Sequence, residues 1–247
     1  MKLARVRKTQ DGTGGFQLQR GMFQPGDLRG ILVVLSLKVG YLVPGVVVKS
    51  MPEHDSHLIL ISGTELLALL PKKYANRPYK VGQNLVACVF MLEKNRIILS
   101  QRSPHYYRRT AERVFSTLIE EDKIRIRRAA SVTGAGFAKM AVEGLNGIDP
   151  VRECLPYLPG MKAYTDDTIT LVRHSQDMKE YVKNALVPAP IDKVRKVIYS
   201  STLREAVVGV DPAYYGLFVG KGGANVATAA KLLDITILIR KVEETAL

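Results

Sequence analysis

The sequence predicts a multi-domain protein: a small all-β barrel followed by two α+β domains, the first of them degenerate. Three observations lead there. Short β-branched or apolar runs divided by turn signals fill residues 28–103. From residue 104 the period changes, and helical stretches alternate with short strands. The order helix, strand, strand, helix, helix, strand then occurs complete after residue 175 and, shortened, once before it.

Residues 1–27 carry Asp11-Gly12-Thr13-Gly14-Gly15 and Pro25-Gly26, turn punctuation that suits a basic flexible arm. The barrel strands are expected at 31–37, 43–49, 58–61, 66–70, 85–92 and 96–100, with Gly45, Gly63 and Gly82 at the corners. Five or so strands of this kind fit the oligonucleotide-binding class of barrel. Ser103-Pro104 then starts a helix reaching about residue 117, since proline suits a first turn and Val114, Phe115 and Leu118 make an apolar stripe.

Strands 123–133 and 137–142 flank the turn Gly134-Ala135-Gly136, with Arg125 and Arg127 expected on one face of the first and Arg128 on the other. Asp149-Pro150 opens a short helix that Pro156 and Pro159 curtail, and strand 168–172 closes this half. In the second half Ser175 is the expected cap of a helix whose apolar face holds Met178, Tyr181, Val182 and Ala185. Strands 194–199 and 205–210, a helix to Val219 capped by Asp211-Pro212, a second helix to Leu233 and strand 235–239 complete it. The domains are therefore 1–27, 28–103, 104–174 and 175–247.

Composition narrows the classes of function. Of 247 residues 47% are hydrophobic and 24% charged, which excludes wholesale disorder and a collagen-like fibre. Lys and Arg total 36 against 23 Asp and Glu, a formal charge of +13, and residues 28–104 alone carry +6 of it. Such a surface attracts polyanions, with nucleic acid foremost. Cys88 and Cys154 are far apart and neither belongs to a CxxC, so no disulfide framework or zinc knuckle is expected. The apolar stretch 31–48 is broken by Lys38, Gly40 and Pro44, so no membrane segment is expected and the cytoplasm is the default compartment.

The motif that carries chemistry is Gly220-Lys221-Gly222-Gly223, between the last two helices. Without a Cβ in the way, a nucleic-acid backbone can approach a GxxG corner closely. Lys221 adds charge, and the amides opening the next helix point at phosphate oxygens. Val226, Ala229, Ala230 and Leu233, at i, i+3, i+4 and i+7, pack that helix and fix the corner. A GxxG alone is weak, because glycines often serve only as helix C-caps. Here it stands within helix–strand–strand–helix–GxxG–helix–strand, the K-homology (KH) arrangement of prokaryotic type.

Residues 180–189, the run Val219-Gly220-Lys221-Gly222-Gly223-Ala224-Asn225 and Ala229-Ala230-Lys231-Leu232 resemble the NusA family of transcription elongation and termination factors. Ile98-Leu99-Ser100-Gln101-Arg102-Ser103-Pro104 is similar to the end of that family's S1 barrel, and Ile148-Asp149-Pro150-Val151 to its first KH helix. The likeness runs over about residues 40–241. It implies an S1–KH–KH portion that holds single-stranded nascent RNA and influences elongation, termination or antitermination without catalysing a reaction.

RNA polymerase would be the further partner the resemblance implies, although residues 1–27 offer only a basic arm where the family has its polymerase-binding N-terminal domain. The first KH unit reads Leu155-Pro156-Tyr157-Leu158-Pro159-Gly160-Met161-Lys162-Ala163 where its GxxG should stand, and is read as degenerate. Ala227 and Thr228 also depart from the basic and apolar residues usual at those positions.

The expected RNA-binding residues are Gly220, Lys221, Gly222, Gly223 and Asn225 on the backbone, Val219 and Val226 beside the bases, and Lys72, Lys73 and Arg77 on the barrel. The barrel residues lie among Lys49, His57, Tyr74 and Tyr79, a mixture of charge and rings that single-strand binders use. Catalytic residues, cofactor and metal are each expected to be none. Gly216 to Gly222 is one residue short of a P-loop and has Gly222 where Ser or Thr would reach magnesium. Two other readings stand beside the first: a cap-type S1/KH subunit of an RNA-degrading complex, and a ribosome-associated or structured-RNA module with an inert corner.

Overall fold

The computed structural model of the chain describes residues 37–93 and 96–243. The expected arm 1–27, and all but the last residue of the expected strand 31–37, lie outside the described residues. The chain divides into one unit that ends at Ser100 and a second that begins at Gln101.

The first unit holds β1 (Leu42–Met51), β2 (Ser56–Ile61), β3 (Leu67–Pro71), β4 (Asn84–Glu93) and β5 (Arg96–Ser100) in a closed barrel of order β1-β2-β3-β5-β4. Alternate residues point inward, and Val47, Ile59, Leu70, Val89 and Leu99 fill the interior with no exposure. Gly63 (φ 76°) and Gly82 (φ 85°) occupy turns that need a left-handed backbone. Gly45 is not a corner, contrary to expectation. It sits within β1, where an added Cβ would stand 2.6 Å from Ile59 Cγ2 and 3.0 Å from the Leu60 carbonyl oxygen, so the glycine permits close strand approach.

The second unit starts with α1 (Pro104–Val114) and α2 (Ser116–Glu120), followed by β6 (Ile124–Ser131) and β7 (Phe137–Gly144). Next are α3 (Pro150–Cys154), a 3₁₀ segment Leu158–Ala163 and β8 (Thr168–Arg173). Ser103 caps α1 by accepting from the Tyr106 amide at 3.2 Å, and Asp149 caps α3 in the same way through Val151 at 3.1 Å. The helix expected to run to 117 breaks instead at Phe115, whose fully buried ring anchors the junction.

The remainder comprises α4 (Met178–Ala185), β9 (Val194–Ser200), β10 (Glu205–Val210), α5 (Tyr215–Val219), α6 (Ala224–Leu233) and β11 (Thr236–Lys241). The cap of α4 is Asp177, which accepts from the Lys179 amide at 3.0 Å; the expected cap, Ser175, stands two residues earlier and accepts from the Asp177 amide at 3.2 Å. A short 3₁₀ turn, Pro212–Tyr214, precedes α5 and is capped by Asp211.

Each half of this unit has one three-stranded sheet, β6-β7-β8 and β11-β10-β9. In both, the middle strand pairs antiparallel with its hairpin partner and parallel with the last strand. One core serves both halves: Ala130, Ala141 and Val172 of the first sheet join Val182, Leu186, Phe218 and Leu232 of the second half. Burial of each such Val, Leu or Phe side chain contributes about 1.5–3 kcal/mol, so the halves stabilise one another.

A β-bulge between Ile126 and Arg128 corrects the expected facing of the arginines. The extra residue breaks strict alternation, and Arg125, Arg127 and Arg128 are all exposed. Among the described residues no helix is long and apolar enough to cross a membrane.

Candidate nucleic-acid interface

The corner between α5 and α6 is built from backbone conformations that side chains resist. Gly220 has φ 76° and ψ 169°, Gly222 φ 58° and ψ 25°, and Gly223 φ 76° and ψ 6°. The Gly220 amide donates to the Gly216 carbonyl at 2.8 Å and so ends α5, and the Gly223 amide donates to the Gly220 carbonyl at 3.0 Å. No side chain caps α6. The Ala224 amide donates to the Lys221 carbonyl, and the following first-turn amides of that ten-residue helix lack intrahelical partners at its positive end, an arrangement that favours an anion. Lys221 and Gly222 are exposed, whereas Gly223, Val219 and Val226 are half-buried, with Val226 packed against the shared core.

Asn225 occupies a different place from the one its sequence context suggests. It is only 5% exposed, and its side-chain amide donates to the carbonyls of Leu186 (3.0 Å), Phe218 (3.0 Å) and Leu217 (3.4 Å). Its donors face inward, bracing the corner from beneath rather than reaching a ligand. At the start of α5 two rings carry cations: Lys241 Nζ lies 5.2 Å from the Tyr215 ring centroid and Lys193 Nζ 5.7 Å from that of Tyr214.

Sequence reasoning missed Lys139, which lies on β7 with no exposure. Its Nζ donates to the Ala185 carbonyl at 2.6 Å and also to the Val187 carbonyl. Burial pushes its ammonium down to about 7. The signal was present: a lone lysine among Ala138, Met140, Ala141 and Val142, on a strand where neither face can be solvated.

On the barrel, Lys72 and Lys73 stand exposed on a 3₁₀ turn, Lys72–Tyr74, and Arg77 is exposed just after it. Lys72 Nζ pairs with Asp55 at 3.1 Å, and Lys73 Nζ lies 5.0 Å from the Tyr74 ring centroid. His57 is buried, its ring edge-on to Tyr79 at 6.1 Å, and desolvation followed by Lys72 holds its pKa below the usual range. Of the expected barrel cluster, His57 thus belongs to the packing and the basic side chains to the surface.

In the first half of the second unit, no glycine between α3 and β8 has a positive φ. Between α3 and β8 lies the 3₁₀ segment Leu158–Ala163.

Residues 178–246 match the family model described as the NusA-like second KH domain. The chain is similar to NusA proteins. It is 27% identical over 183 residues to the transcription termination/antitermination protein NusA of Borreliella burgdorferi, covering 70% of this chain and 37% of that protein. To the protein of the same name from Halalkalibacterium halodurans it is 29% identical over 203 residues, covering 77% of this chain and 52% of the relative. With the Rickettsia prowazekii NusA it shares 30% identity over 132 residues, covering 51% and 26% of the two chains.

The aligned stretch in the first two is longer than the whole unit from Gln101 onward, so the likeness extends into the barrel. The chain spans between about a quarter and about half the length of these NusA relatives.

Proposed function

We propose that this chain is a non-enzymatic RNA-binding factor of transcription, holding single-stranded nascent RNA so as to modulate elongation, termination or antitermination. The domains would be an S1-like barrel at 28–103, a degenerate KH unit at 104–174 and an RNA-gripping KH unit at 175–247. The relatives' names, transcription termination/antitermination protein, support the process. Cytoplasmic RNA polymerase is the protein partner this reading implies.

The observation that carries the reading is the uncapped start of α6, beneath a corner of three left-handed glycines with exposed Lys221 on it. Phosphates of an extended strand would accept hydrogen bonds from the first-turn amides of α6 while Lys221 neutralises charge, and bases would enter the groove beside Val219 and Val226. Gly222 and Gly223 keep the approach open, since a Cβ on either would meet nothing and none is there to obstruct the strand. On the barrel, Lys72, Lys73 and Arg77 would add backbone contacts of their own.

The double substitution Lys221→Asp with Gly222→Asp tests it. The expected result is an unchanged circular dichroism spectrum with single-stranded RNA affinity lowered several-fold or more. Unchanged affinity in a fluorescence titration would remove the clamp and leave a structured-RNA module with an inert corner. Polymerase co-purifying with the chain from its own cells supports the transcriptional role; a phosphorolytic ring in its place replaces that role with the cap-type one.

A further inference from the structure

Three successive carbonyls follow α4, those of Ala185, Leu186 and Val187. Two side chains from distant parts of the sequence take all three. Lys139 of β7, in the first half of the unit, donates to Ala185 and Val187, and Asn225 of α6 donates to Leu186 between them. Asn225 also holds the last carbonyls of α5, at Leu217 and Phe218, and its backbone nitrogen lies 2.8 Å from where a Gly220 Cβ would be. The chain of contacts is therefore continuous from the first sheet to the glycine corner.

We propose that Lys139 is a positioning residue for the RNA clamp: by fixing the 185–187 carbonyls it fixes Asn225, and through Asn225 the directions of the amides that open α6. This rests on the reading of Gly220–Gly223 as a phosphate cradle.

The geometry favours this role over packing alone. Carbonyls at a helix C-terminus lack intrahelical partners and sit at the negative end of the helix dipole, so an ammonium is suited to them. A lysine presents three donors and no acceptor, and among the described residues Lys139 forms no ion pair with a carboxylate. Its hydrogen bonding is therefore directed at the 185–187 segment. A methyl-terminated side chain of similar length would fill the same volume but leave two buried carbonyls unpaired and free to turn. The Lys231 ammonium at 3.4 Å from the Ser131 carbonyl is a second, exposed tie between α6 and the first sheet, too far along the helix to orient its first turn.

The test uses the whole chain and a fluorescein-labelled twelve-nucleotide single-stranded RNA. Lys139→Met is expected to bind about five- to ten-fold more weakly, with the slope of log affinity against log salt unchanged, because no phosphate contact is removed. Lys139→Arg, which restores donors to both carbonyls, is expected to recover to within about two-fold of the unaltered chain even where its larger head lowers the melting temperature. Affinity that follows melting temperature across the three proteins, instead of the presence of donors, overturns the proposal.

Lys221→Asp with Gly222→Asp separates the two readings. If that double variant binds normally, the cradle itself is wrong. If it binds weakly while folded Lys139→Met binds normally, only the positioning role falls. Should Lys139→Met not fold, amide hydrogen exchange on the unaltered chain decides. RNA is expected to slow exchange at 185–187 and 138–140 together with 220–226, and protection confined to 220–226 overturns the proposal.

Discussion

Asn225 lies so close beneath Gly220 that a β-carbon on the glycine would stand 2.6 Å from the asparagine's own. The same glycine has φ 76° with ψ 169°, a region essentially closed to other residues. Gly220→Ala therefore combines backbone strain with a clash against atoms that cannot withdraw, because Asn225 is held by carbonyls from two helix ends. The expected loss is about 2–4 kcal/mol of stability together with most of the RNA affinity. Gly222 is different: its φ of 58° and ψ of 25° are left-handed helical, and an added Cβ would meet nothing. Gly222→Asn is expected to cost less than about 1 kcal/mol, since asparagine tolerates that conformation. Paired denaturant titrations check the contrast, and equal losses would contradict it.

These two glycines also mark how far the sequence could be read. The GxxG, its flanking helices and the barrel strands were legible because each is announced locally, by turn residues and by periods of two or 3.6. Following the motif as it does, Asn225 looks in the sequence like a ligand contact. Its partners, however, are a carbonyl 39 residues earlier and two on the preceding helix, and no local pattern encodes such a relation. Lys139 is hidden for a similar reason: a strand pattern treats lysine as a solvent-facing residue, whereas both faces of β7 are covered. The bulge at Arg127 and the close approach at Gly45 are properties of strand pairing, which appears only once partner strands are aligned.

Lys139 gives stability a pH dependence. Its folded-state pKa is pushed down to about 7 by burial, while an unfolded chain holds the proton to about 10.4. Below pH 7 both states are protonated and the cost of the buried charge is fully present. Between about 7 and 10 the unfolded state binds more protons, so this group makes stability rise with pH, by at most about 1.4 kcal/mol per unit. The expected outcome is a stability difference between the unaltered chain and Lys139→Met that shifts in favour of the former from pH 7 to pH 9. Urea midpoints measured at both pH values test it, and a pH-independent difference would contradict it.

Lys221 is exposed and makes no ion pair among the described residues, so its removal should leave stability untouched. Lys221→Ala is expected to weaken single-stranded RNA binding by about 1 kcal/mol, roughly five-fold, and to reduce the magnitude of the salt slope by about 0.7, the value for one lost phosphate contact on a single strand. Titrations at four salt concentrations give both quantities. An unchanged slope would mean that Lys221 does not sit on a phosphate.

The barrel offers a substitution expected to strengthen binding. Lys72 is held by Asp55 at 3.1 Å, and the Asp55 side chain is 73% exposed, so the pair contributes little to stability. Asp55 itself adopts a left-handed conformation, φ 46° and ψ 44°, as it ends the 3₁₀ turn Pro52–His54. Asparagine accepts that conformation as readily as aspartate. Asp55→Asn thus frees the Lys72 ammonium and removes a negative charge from the surface that carries Lys73 and Arg77, without disturbing the turn. If that surface meets RNA, affinity should rise about two-fold at low salt and the gain should shrink as salt is added, because exposed charges are screened within about 10 Å at 0.1 M. The reverse substitution of charge, Lys72→Glu, should weaken binding under the same conditions. Identical affinities for both variants and the unaltered chain would place the RNA path away from Lys72.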